Sequence, residues 1–113
     1  MNAQLQTLVR SLKRLGIEQQ CKLWKRIALD LERPTRIRRM VNVYKINHYA
    51  KDGEVILVPG KVCGDGDLTK KVTIAAYQFS ESARAKINVN GKAVSIQELM
   101  KSNPKGQKVR IMG

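Results

Sequence analysis

Acidic and aromatic side chains are scarce in this sequence of 113 residues. Nine Asp and Glu stand against 22 Lys and Arg, and Phe, Trp and Tyr together make up 4%. With so few aromatics, a core must be built mainly from aliphatic side chains. Histidine occurs once, at His48, and the two cysteines, Cys21 and Cys63, lie far apart with no C-x-x-C pair. That leaves too little for a zinc site or a Cys–His nucleophile pair. The cysteines read as small buried or half-buried apolar side chains, and no structural disulfide is expected in a reducing compartment. Neither Ser80 nor Ser82 sits in a G-x-S-x-G elbow. No apolar run approaches the ~18 residues of a membrane-spanning helix. The opening residues Met1 to Gln6 lack the basic and then apolar regions of a secretory signal, and no lipidation motif is seen. The expectation is a cytoplasmic protein that is not an enzyme, with no cofactor, no metal, no membrane and no small-molecule substrate.

What is present in excess is positive charge. The net charge is +13 and the isoelectric point is about 10.2, above the value of roughly 9 that marks a nucleic-acid footprint. Self-repulsion on this scale costs stability unless a polyanion neutralises it. The remaining composition, 42% hydrophobic and 27% charged, is that of an ordinary globular protein. The length suits one domain, residues 1–113, able to fold alone with little margin. Residues 1–50 hold eleven of the cations and three acids, whereas residues 51–113 hold eleven and six. A basic helical lobe (1–50) followed by an α/β lobe (51–113) is therefore expected.

Hydrophobic periodicity gives the elements. Leu5, Leu8, Val9, Leu12 and Leu15 form one apolar helical stripe, with Arg10, Lys13 and Arg14 opposite. Gly16 is read as punctuation. A second helix is predicted from about Glu18 to Glu32, burying Leu23, Trp24, Ile27, Ala28 and Leu31 and stopped by Pro34. Asn42 is a plausible N-cap for a short helix turning Val43, Ile46 and Tyr49 inward. Val55 to Val58 reads as a buried strand ended by Pro59-Gly60, and Gly60 to Asp67 as a flexible glycine-rich loop. Val72 to Tyr77 reads as a strand. A helix capped by Ser80 follows, running to Ile87 and ending near Asn90-Gly91. Ala93-Val94 is a short strand, Ser95 and Glu98 have capping-box spacing for another helix, and Val109 to Ile111 is a last strand. The predicted fold is α/β: a basic N-terminal helical pair plus an irregular stacked strand/helix domain with a small sheet.

The candidate binding residues follow the cations. Arg33, Arg36, Arg38 and Arg39 lie within seven residues, with no acid among them. A guanidinium offers five donors in a rigid fork that matches phosphate oxygens. Lys22 and Arg26 project from the polar face of the second helix. Asn42, Lys45, Asn47, His48 and Lys51 extend the surface, with amide or imidazole groups able to reach a 2′-hydroxyl or a base edge. For His48 a structural or helix-surface role is equally open. Tyr44 and Tyr49 could stack on unpaired bases, with one of them suited to the core. Lys61 sits in the glycine-rich stretch, which departs from the Walker pattern because Val62 follows the Gly-Lys pair. Lys105, Lys108 and Arg110, with Lys101 before them, form a second basic patch.

Several segments, in this order, then become informative together. They are Val41-Asn42-Val43-Tyr44-Lys45-Ile46-Asn47, Val58-Pro59-Gly60-Lys61-Val62, Val72-Thr73-Ile74-Ala75-Ala76, Phe79-Ser80-Glu81-Ser82-Ala83-Arg84, Asn103-Pro104-Lys105-Gly106 and Val109-Arg110-Ile111-Met112-Gly113. Spread over the whole chain, they closely resemble the archaeal form of large-subunit ribosomal protein eighteen, a relative of universal large-subunit ribosomal protein fifteen. The resemblance implies a basic helical N-terminal part, an α/β part of irregular stacked units and no enzymatic activity. It also implies binding to large-subunit ribosomal RNA beside neighbouring large-subunit ribosomal proteins, in the cytoplasm. The competing expectation is a free nucleic-acid-binding regulator or a DNA-compacting protein. The lack of a clear helix-turn-helix counts against it.

Overall fold

Leu5, Leu8, Val9 and Leu12 recur at helical spacing, and helix α1 (Ala3–Glu18) buries all four. Helix α2 (Lys22–Leu31) buries Trp24, Ile27, Ala28 and Leu31 in the same way. The two pack as a hairpin joined by a tight turn at Gln19–Gln20, where Gln20 takes a positive φ of 52°. This is a computed structural model that describes residues 3–33 and 39–112, with Arg39 described by its backbone alone. Beyond the hairpin lie β1 (Arg39–Asn42), α3 (Val43–Tyr49), β2 (Val55–Cys63), β3 (Thr73–Phe79), α4 (Glu81–Asn90), β4 (Lys92–Ser95), α5 (Ile96–Ser102) and β5 (Val109–Ile111).

Every strand pairing among the described residues is parallel, in the order β1-β2-β3-β4, with β5 also on β2. Residues 55–57 of β2 pair with β5, and residues 60–63 pair with β1. The two short strands thus lie end to end along the β2 edge that faces away from β3. Side chains alternate along a strand, and here both faces are covered. Ile56, Val58, Val62, Ile74 and Ala76 pack with Val43 and Ile46 of α3 and with Ala83 and Ile87 of α4. Leu57, Ala75 and Val94 face the other way, onto α1, α2 and α5. Burial on both faces explains why the strands read as continuous apolar runs, as parallel strands do. Ser80 and Ser95 both cap as their spacing predicts: their Oγ atoms accept from the backbone N–H of Ala83 and Glu98, each at 3.1 Å.

The α/β arrangement of a helical pair and a small sheet agrees with the sequence reading, but several details are corrected. Gly16 does not end α1. It marks a close approach, where a β-carbon would lie 3.2 Å from the Cys21 carbonyl oxygen. The helix runs on to Glu18, and α2 starts at Lys22 rather than near Glu18. Leu15 and Leu23 are only half-buried. Strand β1 is absent from the sequence reading. β2 passes through Pro59-Gly60, where the register against β3 shifts between Val58 and Lys61. A bulge tolerates the missing proline N–H. Asn42 does precede α3, but its side chain makes no capping bond. Tyr49 points outward at 57% exposure, and Tyr44 is equally exposed at 58%, so neither enters the core.

Candidate nucleic-acid interface

Burying the leucine stripe of α1 and the Trp24 face of α2 turns the cations of both helices to solvent. Arg10, Lys13, Arg14, Lys22, Lys25 and Arg26 are all exposed. The hairpin brings Lys13, Lys22 and Lys25 around one shallow cleft beside Ile17. Arg10, Arg14 and Lys25 belong to this basic face yet are not among the candidates the sequence singles out. The helical periodicity that places them opposite the apolar stripe is the signal for them. Lys13 pairs with Glu32 at 2.6 Å, and Arg33 approaches Asp30 at 3.9 Å. With nine acids for 22 cations, such pairs leave most of the positive field intact.

Lys105 joins this face through a specific long-range bond. The indole Nε1 of Trp24 donates to the Pro104 carbonyl at 2.7 Å. The Asn103 side chain donates to the Gln107 carbonyl at 2.8 Å and accepts from its N–H at 3.2 Å. The turn is so close to α2 that a β-carbon on Gly106 would lie 2.8 Å from Cys21 Sγ and 2.9 Å from a Leu23 methyl. Lys105 is thereby carried to the first turn of α2, where Lys22 stands.

A second gathering forms where β5 pairs with β2. Lys51, Lys108 and Arg110 line one open cleft together with the acids Asp52 and Glu54. Arg110 is partly committed: its Nη1 donates to the Tyr49 carbonyl at 3.0 Å and its Nε lies 3.1 Å from Glu54 Oε2. Glu54 Oε1 also accepts from the Lys51 backbone N–H at 2.6 Å. Lys51 and Lys108 remain exposed, Lys108 on a backbone with φ of 56°. His48 is exposed as well, edge-to-face with Tyr49 at 4.6 Å between ring centroids.

Around α3 the candidates divide. Lys45 is exposed. Asn47 Oδ1 accepts from the backbone N–H of Thr69 at 3.0 Å and from its hydroxyl at 3.2 Å, so that carbonyl ties down the 64–72 connection. Asn42 is half-buried, and its Oδ1 has no hydrogen-bond partner among the described residues. Lys61 is exposed on β2, opposite Met40 in register. Arg39 lies opposite Gly60 in the same ladder, whereas Arg36 and Arg38 lie outside the described residues.

The glycine-rich segment is a seat rather than a flexible loop. Lys86 Nζ donates to the carbonyls of Gly64 and Gly66, both at 2.6 Å, and the Asp65 carbonyl accepts from the Tyr44 N–H at 3.1 Å. A β-carbon on Gly64 would come within 2.8 Å of the Ala83 backbone nitrogen. The glycines let this segment pack against the starts of α3 and α4. Its carbonyls are turned to internal contacts, as a tight turn requires and a phosphate cradle does not.

Cys21 and Cys63 are free and half-buried. Among the described residues no group of three or more His, Cys, Asp or Glu is placed to hold a metal ion. No described helix is long and apolar enough to cross a membrane. The arrangement can therefore offer exposed guanidinium and ammonium donors, distributed over several elements, to a polyanion.

The chain is similar to known ribosomal proteins. A family profile described as covering the ribosomal proteins 50S-L15 and 50S-L18e, together with a protein of the 60S subunit, matches residues 21–95. A protein of Methanoregula boonei named large ribosomal subunit protein eL18 is 48% identical over 112 residues, covering 98% of this chain and 93% of its own length. Proteins of the same name from Methanococcus maripaludis and Archaeoglobus fulgidus are each 45% identical over 112 residues. They too align with 98% of this chain, and with 93% and 96% of their own lengths.

Proposed function

Because the chain belongs to this family of ribosomal proteins, we propose that it serves as a structural constituent of the large ribosomal subunit, binding and stabilising large-subunit ribosomal RNA without catalysis. Its place is the cytoplasmic ribosome, among neighbouring large-subunit proteins. Residues 1–113 act as one RNA-binding domain.

The observation that carries this reading is the distribution of exposed cations, which outnumber the acids beside them. They lie on the outer face of the α1–α2 hairpin, on the Lys105 turn docked beside it, and around Lys51 and Lys108 at the β2–β5 edge. No single described helix concentrates them, as insertion into a DNA groove would require. Phosphate contacts of this kind fix position and orientation and carry no sequence information by themselves. The RNA contacts proposed are Lys22, Arg26, Arg33, Arg36, Arg38, Arg39, Lys45, Lys51, Lys61, Lys105 and Lys108. Asn42, Asn47 and His48 supply polar contacts, and Arg110 contributes the donors that Glu54 and Tyr49 leave free. Double-stranded or folded RNA is recognised largely by shape together with phosphate and 2′-hydroxyl contacts, which such a dispersed set suits.

The protein should co-sediment with large subunits after a high-salt wash, and its affinity for large-subunit RNA should fall steeply with salt. Recovery only in free soluble fractions would overturn the reading. Preference for duplex DNA over structured RNA in direct competition would favour the free nucleic-acid-binding regulator instead.

A further inference from the structure

One cleft on this basic protein is lined, among the described residues, without a single charged side chain. Its volume is about 660 Å³, and its polar lining is Gln4, Thr7, Ser11, Tyr77, Gln78 and Gln97. It has a defined place in the fold. β4 pairs with residues 73–76 of β3 and then ends, so β3 continues through Tyr77 to Phe79 without a described partner on that side. The chain leaves β3 into α4, which packs on one face of the sheet, and leaves β4 into α5, which packs on the other. Adjacent parallel strands whose connections part to opposite faces open a crevice at their carboxyl ends, the usual ligand position in such sheets.

We propose that this crevice captures one unpaired nucleobase of the bound RNA; the inference rests on the RNA-binding reading above. The chemistry favours a base over a phosphate. A phosphate site would draw on the chain's abundant lysines and arginines, and none of those described lines the cleft. Glutamine amides pair a donor with an acceptor at the spacing of a base edge. Gln78 and Gln97 are exposed and come from different elements, the end of β3 and the first turn of α5. Tyr77 is half-buried against the hairpin core, which holds an aromatic ring at the cleft for stacking. Thr7 donates its hydroxyl proton to the Ala3 carbonyl at 2.9 Å, so its oxygen is left as an acceptor. Lys61 is the cross-strand neighbour of Gln78 and supplies a cation beside the cleft for the flanking phosphate. The protein thus combines positional phosphate contacts with one site that reads a base.

The test uses large subunits carrying the double variant Gln78→Leu/Gln97→Leu, both positions being exposed. Dimethyl sulfate and a carbodiimide probe base edges, and hydroxyl radicals probe the backbone. One unpaired base should become roughly tenfold more reactive in the variant, the scale of losing a bidentate amide contact, while backbone protections stay as in the wild type. Ultraviolet crosslinking should join the peptide containing Tyr77 and Gln78 to a nucleotide. Unchanged base reactivities beside intact backbone protection, or crosslinks from this peptide to protein alone, would overturn base capture and leave RNA binding standing. Absence of any backbone protection by the wild-type protein would overturn both.

Discussion

Trp24 and Pro104, 80 residues apart, are joined by a 2.7 Å hydrogen bond from the indole N–H to the proline carbonyl. The bond satisfies the polar end of a fully buried ring and fixes the turn that carries Lys105. Trp24→Phe keeps most of the apolar packing but leaves the carbonyl unpaired. It should cost about 1–2 kcal/mol, read by urea denaturation followed by circular dichroism. Amide exchange at Gly106, whose N–H bonds to the Asn103 carbonyl, should quicken in the same variant.

Gly64 and Gly53 make a controlled comparison. Gly53 has open space around it and φ of +85°, so Gly53→Ala should cost only about 1–2 kcal/mol of backbone strain. Gly64→Ala places a methyl against the backbone of Ala83, which cannot swing aside as a side chain can. A loss of about 2–3 kcal/mol is expected, with helix α4 displaced. Thermal melts of the two variants side by side would show the order.

How far the sequence discloses this structure depends on whether a feature is local. The stripe of α1, the caps at Ser80 and Ser95 and the apolar runs of β2 and β3 are local, and each is legible. Strand β1 is not: of its three residues with described side chains, Met40 to Asn42, only Val41 is deeply buried in the core, and its extended form depends on the free edge of β2. The continuation of β2 past Pro59 is hidden for the same reason. Among the candidate residues, the exposed cations are visible from charge and periodicity. Their grouping is not, because the Lys105 turn reaches the start of α2 only through the Trp24–Pro104 bond, and Arg110 joins Lys51 only through the β2–β5 pairing. Nor does composition reveal that Glu54 already holds part of Arg110.

That last contact gives a prediction of opposite sign to the others. Glu54→Gln removes a half-buried carboxylate from Arg110 and leaves the guanidinium, apart from its bond to the Tyr49 carbonyl, open to phosphate. Stability should fall by up to about 1 kcal/mol, the ceiling for a partly exposed ion pair. RNA affinity at low salt should rise, and the log–log salt slope should steepen by up to about 0.9, one phosphate contact. Filter binding across a salt series reads both.

Lys22→Gln and Lys45→Gln should each make the salt slope shallower by about 0.7–0.9, one released counterion apiece. Both side chains are exposed, so unfolding free energies should stay within about 0.5 kcal/mol of the wild type. A slope unchanged in either variant would remove that lysine from the interface.

The end-to-end sharing of one β2 edge by β1 and β5 also has a kinetic side. During synthesis, β2, β3 and β4 emerge while residues 109–111 have yet to be made, so half of that edge stays unzipped. Its amides and carbonyls are then an open template for illegitimate pairing. Closing it waits on a contact between residues 55–57 and 109–111, a slow, non-local step by the logic of contact order. Until β5 zips onto β2, the nascent chain therefore presents residues 55–57 as an unpaired edge.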